Sequence, residues 1–177
     1  MRLLKNPTCF SCGSVKNVTV REYTPADAMA AMKIWNEVVE EGDAFPQLKG
    51  LTEDNADAFF KHQSYTGIAV DADGRIVGLY ILHPNNVGRC GHIANASYAV
   101  AADERGNHIG ETLVQDCMKQ GKRLGFRILQ FNAVVVTNAA AIHLYEKLGF
   151  EKLGTIPGGF HAKDDSYRDI NLYYHTL

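Results

Sequence analysis

Apolar residues recur along this chain at two spacings, every second position and every third or fourth, and the two patterns alternate. Val18 to Tyr23 alternates and is rich in β-branched residues, which predicts a first strand. Thr24-Pro25-Ala26-Asp27 is a helix start, with Thr as N-cap, Pro in the first turn and an acid at the third position. Its apolar stripe is Ala28, Met32, Trp35 and Val39, and Gly42 ends it. A loop from Asp43 to Leu51 leads to Thr52, which can cap a second helix with Ala56, Phe59 and Phe60 facing inward.

Thr66–Asp71 and Arg75–His83 read as strands joined by an Ala72-Asp73-Gly74 hairpin turn. A turn at Pro84–Gly88 precedes another strand, His92–Val100. A helix then runs to about Leu124 and is stopped by Gly125. The β-branched run Ile128–Val136 follows that helix, so it is expected to pair parallel with the strand before it. Asn138 can cap the next helix, whose inward positions are Ala141, Leu144, Tyr145 and Leu148. Phe150–Ile156 is a strand, Pro157–Asp165 a long polar loop, and Tyr167–Leu177 a final alternating strand. The order β-α-α-β-β-β-α-β-α-β-β predicts a mixed α/β sheet.

Residues 1–17 show neither period, so they are read as an arm ahead of one domain over residues 18–177. A formal net charge of −2 offers no basic field to nucleic acid or to an anionic membrane surface. No apolar run approaches the roughly 18–20 residues that span a bilayer, and no signal sequence is visible. A cytoplasmic protein is the simplest account. Cys9 and Cys12 form a CxxC without a second ligand pair, so no metal site is expected, and Cys117 reads as a small core hydrophobe.

The chemistry concentrates at Ser97 to Thr112, a strand, a short polar turn and a helix start. That arrangement turns bare N–H groups and the positive end of a helix dipole toward an anion. A pyrophosphate fits such a cradle.

The cradle reads Arg105-Gly106-Asn107-His108-Ile109-Gly110, and Asn138 to Phe150 reads NAAAIHLYEKLGF. Together these motifs, with a β-branched strand between them, resemble the GCN5-related N-acetyltransferase (GNAT) superfamily over residues 18–177. The first corresponds to the family's acetyl-CoA motif, (Gln/Arg)-x-x-Gly-x-(Gly/Ala), with His108 in place of the central glycine. The resemblance implies the GNAT fold, a mostly antiparallel sheet with a central parallel pair flanked by helices. It also implies acetyl-CoA as cosubstrate, without a metal.

The implied cofactor-binding residues are Tyr98, Val100, Arg105, Gly106, Asn107, His108, Ile109, Gly110, Thr112, Asn138, Ala141 and Tyr145. The cradle N–H groups and the Thr112 hydroxyl would face the pyrophosphate, and the backbone of Tyr98–Val100 would pair with pantetheine. Tyr145 stands where the family has its general acid. Its plain alternative is a packed helical aromatic.

Asn95-Ala96-Ser97-Tyr98 and Asn132 are similar to fungal GNATs that acetylate proline analogues such as azetidine-2-carboxylate. That likeness implies Asn95 and Tyr98 at the acceptor site and Asn132 as a catalytic residue whose carbonyl orients the amine or a water. In a regular strand Asn95 and Tyr98 face opposite sides, so a β-bulge between them is expected. His92, Glu37, Glu53 and Asp169 are candidate bases. The implied reaction is direct acetyl transfer to a small-molecule amine, such as an amino acid, an imino acid analogue or a toxic amine. Acetylation of proteins or peptides, and a decayed CoA-binding protein, are the alternatives. A homodimer through the arm or the last strand is the assembly that the resemblance suggests.

Overall fold

A computed structural model of the chain describes residues 17–177, so the expected arm and its CxxC lie outside the described residues. The strands are β1 (Thr19–Glu22), β2 (Tyr65–Val70), β3 (Ile76–Pro84), β4 (Ile93–Val100), β5 (Ile128–Val135), β6 (Glu151–His161) and β7 (Tyr167–Thr176). The helices are α1 (Ala28–Glu41), α2 (Glu53–Lys61), α3 (Ile109–Arg123) and α4 (Ala139–Lys147). The strands form one sheet in the order β1-β2-β3-β4-β5-β7-β6. Only β4 and β5 run parallel, joined by α3, as a strand-helix-strand crossover demands.

Helices cover both faces. On one face α1 and α2 bury Trp35, Phe45 and Phe60 against Ile68, Leu79 and Ile81. On the other, α3 and α4 pack on Leu82, Ala94, Leu129 and Phe131 through Leu113, Cys117 and Leu144. The buried stripe of α1 is Ala31, Ile34, Trp35, Val38 and Val39. Ala28 and Met32, expected within it, lie half-buried at its rim, because a helix face seated on a broad sheet is wider than one row of side chains.

The entry to α1 is held by a buried carboxylate. Asp27 accepts from both terminal nitrogens of Arg21 at 2.7 Å and from the Thr24 N–H at 2.7 Å. The Arg21 hydrogen bond, assisted by the donors of Thr24, holds its pKa down to about 2. A depressed carboxylate stabilises the fold fully above its unfolded pKa and loses that contribution as pH falls through its folded value. About 1–2 kcal/mol is therefore expected to vanish between pH 5 and pH 2, a figure discounted because Arg21 is half in water. Urea titrations of the wild type and Asp27→Asn over that range check it: the variant should lose stability at pH 7 and little more at pH 2.

The expected loop over 157–165 is instead strand as far as His161. Ile156 pairs with Ile170 and Phe160 with Arg168, so β6 advances four residues while β7 advances two. The surplus is a bulge at Pro157-Gly158-Gly159, tolerated because β6 is the sheet edge. Phe160 is buried with Val135, Ala162 and Ile170, which ties this hairpin to the sheet.

One departure from regularity positions the site. β4 and β5 pair only at Ile93↔Ile128 and Ala94↔Leu129, and beyond those residues they separate. The Ala101 N–H donates to Val77 O, so odd-numbered β4 residues hydrogen-bond toward β3. The N–H and C=O groups of Ala96, Tyr98 and Val100 consequently face the side that β5 has left.

Candidate functional site

The gap between β4 and β5 opens into a cavity of about 280 Å³. Its walls are Asn95 to Tyr98, Phe131 to Val135, the Ala44–Pro46 segment, and Asn138, Ala141 and Tyr145. A second cavity of about 500 Å³ runs from Tyr98 and Val100 along the 104–111 turn to His143, Leu144 and Lys147. A third, of about 510 Å³, lies between the end of α1 and the start of α4. Tyr98 and Asn138 border all three, so these spaces form one channel.

Tyr145 lines both the first and second cavities. Its ring packs on Phe131 at 4.4 Å and Phe150 at 5.6 Å between centroids. Burial raises its pKa above the ordinary tyrosine value, and the Cys117 thiol adds to the shift. A group of that kind is a neutral O–H donor at physiological pH.

The bulge expected beside Tyr98 is absent. The β3–β4 register runs unbroken from Gly78↔Val100 to Pro84↔Ala94, so no bulge separates Asn95 from Tyr98. Tyr98 accordingly projects toward α3, where its hydroxyl is buried without a conventional hydrogen-bond partner and beside the Cys117 thiol. Burial pushes that thiol up to about 12. Asn95 projects to the opposite face. Both still border the cavity, because it is a gap through the sheet rather than a pocket on one face. Tyr98 offers it a ring and a backbone edge.

Asn132 is already paired. Its Nδ2 donates to Asn85 Oδ1 at 2.5 Å, and its Oδ1 accepts from Gln130 Nε2 at 2.8 Å. Asn85 and Gln130 were missed by the sequence. Gln130 was visible as the same-face neighbour two positions along a strand, but Asn85 read as a turn residue only.

The cradle is braced by its own side chains. Arg105 bonds Glu41 at 2.9 Å, and Asn107 bonds the buried carboxylate of Glu104 at 2.9 Å. Among the described residues none accepts from the N–H groups of Gly106, Asn107 or His108, and α3 begins immediately after them. Gly106 has φ +84°, which only glycine adopts without strain, whereas a Cβ on Gly110 would meet only Leu144 at 3.6 Å. The open space over Gly110 lets a ligand reach the backbone. Ile109 is buried beneath the turn. Thr112, expected as a side-chain donor, lines none of the cavities and turns its hydroxyl back to His108 O at 3.3 Å, as helical threonines do. Asn138 caps α4 by accepting from the Ala141 N–H at 3.1 Å.

His108 takes the left-handed conformation, φ 60° and ψ 11°, at the N-cap of α3. Its ring is exposed, with Nδ1 3.5 Å from Glu111 Oε2, and Glu111 is chiefly held by Lys147 at 2.7 Å. A side chain in this region costs about 1–2 kcal/mol, part of which glycine gives back as chain entropy. His108→Gly should raise stability by up to about 1 kcal/mol in a urea titration. A loss of stability would show that the imidazole supports the turn.

None of the candidate bases borders the channel. Asp169 accepts from the Gly158 N–H at 2.9 Å, while His92, Glu37 and Glu53 lie outside its walls. Tyr98 and Tyr145 are the titratable side chains of the inner cavity.

A split parallel pair thus lies above a glycine turn whose N–H groups no described residue accepts, with a neutral phenol at the junction. The sequence profile described as the acetyltransferase (GNAT) family matches residues 31–150, and the chain belongs to that family. It is 28% identical over 158 residues to N-acetyltransferase aca1 of Schizosaccharomyces pombe, covering 79% of this chain and 76% of that one. The L-methionine sulfoximine/L-methionine sulfone acetyltransferase of Pseudomonas aeruginosa is 27% identical over 148 residues, covering 80% of this chain and 84% of that one. Among solved structures, a GCN5-related N-acetyltransferase from Kribbella flavida superposes with a TM-score of 0.84 at 36% identity. It covers 90% of this chain and 98% of that one.

Among the described residues no helix is long and apolar enough to cross a membrane.

Proposed function

We propose that this N-acetyltransferase moves the acetyl group of acetyl-CoA onto the amine of a small molecule, such as an amino acid, an imino acid analogue or a toxic amine. The observation that carries the reading is Tyr145, a neutral phenol at the junction of the cradle groove and the inner cavity. The inner cavity, at about 280 Å³, lies just below the roughly 300–1,000 Å³ range of ligand sites, which favours a compact acceptor.

The residues fit acetyl-CoA. The N–H groups of Gly106, Asn107 and His108, which no described residue accepts, would hold the pyrophosphate with those opening α3. The edge of β4 at Tyr98 and Val100, left without a β5 partner, would pair with pantetheine as an added strand does. In this arrangement the Tyr98 N–H polarises the thioester carbonyl and Tyr145 protonates the departing thiolate. Among the described residues no carboxylate or imidazole lines the inner cavity, so the reading has the acceptor's proton leave through water. Thiol release from acetyl-CoA across proline analogues, amino acids, polyamines, aminoglycosides and short peptides tests the reading. Turnover confined to peptides overturns the acceptor class, and none at all, despite CoA binding, overturns the activity.

A further inference from the structure

Next to the inner cavity lies a larger one that the proposed chemistry leaves unused. It measures about 680 Å³ and opens between the loop after α1 and the turn that joins β6 to β7. Phe45 and Pro46 are walls of both spaces. A second pair backs them: Val135 lines the inner cavity, Phe160 lines the outer one, and the two share one buried cluster. The outer lining includes the apolar side chains of Val39, Leu48 and Ala162. Lys163 and His161 also border it, but they are engaged, by Glu40 O at 2.8 Å and by Asp165 Oδ1 at 3.3 Å. The space therefore suits an apolar group.

The dividing wall is fixed. Phe45 is 7% exposed, and its ring lies 4.4 Å from that of Trp35. The loop that carries it is pinned at both ends. At its start the chain turns at Gly42, with φ +70°, where a Cβ would come within 2.8 Å of the Lys163 side chain. At its end the Asn36 carboxamide accepts from the Leu51 N–H at 2.7 Å and donates to Leu51 O at 2.9 Å. A wall held by packing and by hydrogen bonds at its base discriminates by size, because yielding to a larger group gives those contacts up. We infer that Phe45, with Pro46, determines acceptor size: the wall confines the acceptor to compact amines by shutting the inner cavity off from an apolar outer one. The inference rests on the small-molecule acceptor reading and adds to it the residue that sets the limit.

The test uses ligands anchored by their donor half, in which CoA is joined through S–CH2–CO to methylamine, hexylamine or 3-phenylpropylamine. Their binding to the full chain is titrated calorimetrically, beside acetylation of the three free amines. Wild-type protein should bind the methyl conjugate at least about tenfold more tightly than the other two, as a site does that cannot take the added carbons. Phe45→Ala should bring the three within about threefold of one another, with binding of CoA itself unchanged. Phe45→Leu, which keeps more of the core filled, should lie between. Gln47→Trp, an exposed lining position of the outer cavity, should restore the preference when added to Phe45→Ala, because it fills the outer space from its far side. Equal binding of all three conjugates by the wild type overturns the wall. An unchanged preference in both Phe45 variants overturns the assignment of Phe45. A gain that Gln47→Trp leaves intact overturns the part given to the outer cavity. The predicted binding pattern without acetylation of any free amine overturns the acceptor reading and not the wall.

Discussion

Tyr145→Phe is expected to lower kcat by about 10²–10³-fold, with the KM for acetyl-CoA changed by less than about threefold. The substitution removes one oxygen from a ring wedged against Phe131, Phe150 and Tyr98, so the packing that holds α4 is preserved. Burial and the Cys117 thiol, with no hydrogen bond, act on the Tyr145 hydroxyl among the described residues, so its removal orphans no partner there and stability should hold within about 0.5 kcal/mol. The pH profile separates an acid from a spectator. A phenol whose pKa is raised stays protonated below that raised value, so Tyr145 remains competent from neutral pH through pH 10. The rate should rise as the acceptor amine loses its proton and show no alkaline decline from Tyr145 within that range. Thiol release by wild type and variant checks both points, and a variant of undiminished kcat removes Tyr145 from the chemistry.

Trp35→Ala should cost about 3–5 kcal/mol of stability, the range for emptying a large aromatic from a packed core. Trp35 is 1% exposed and its ring meets Phe45 at 4.4 Å, Phe59 at 5.2 Å and Phe60 at 6.2 Å. Phe45 is also a wall of the inner cavity. The same substitution should consequently raise the acceptor KM several-fold at temperatures where the variant is folded, with the KM for acetyl-CoA much less affected. Guanidinium unfolding and acceptor titration measure the two effects. A cost under 1 kcal/mol would mean that the α1 face re-packs without its largest residue.

Much of the fold was legible because burial writes itself into the sequence locally. Alternation marked β1 and β7, turn signals set off β2, β3 and β4, and a β-branched run marked β5, each within a residue or two. The break came at β6, where Pro157-Gly158-Gly159 reads as a loop and forms an edge bulge, held by pairing with β7 that no local pattern reports. The site was legible to the same degree. The 105–110 turn and Asn138 are local devices, and both stand where the motifs put them. The turn of the Thr112 hydroxyl back to His108 O and the unbroken β3–β4 register, without the bulge expected between Asn95 and Tyr98, were not legible, because the direction of a side chain depends on helix phase and strand parity in the finished fold.

Taken alone, the sequence determined the order of elements, the parallel crossover, the glycine turn ahead of α3 and the place of Tyr145 on α4. Tertiary structure alone decided that β4 and β5 part after two residue pairs, that a cavity passes between them, and that Asn85 meets Asn132 across 47 positions of chain. Periodicity records which face of each element is buried, a property of neighbouring residues. The separation of two strands, and the pairing of the amides within the gap, arise from packing between segments remote in sequence, and leave no local trace.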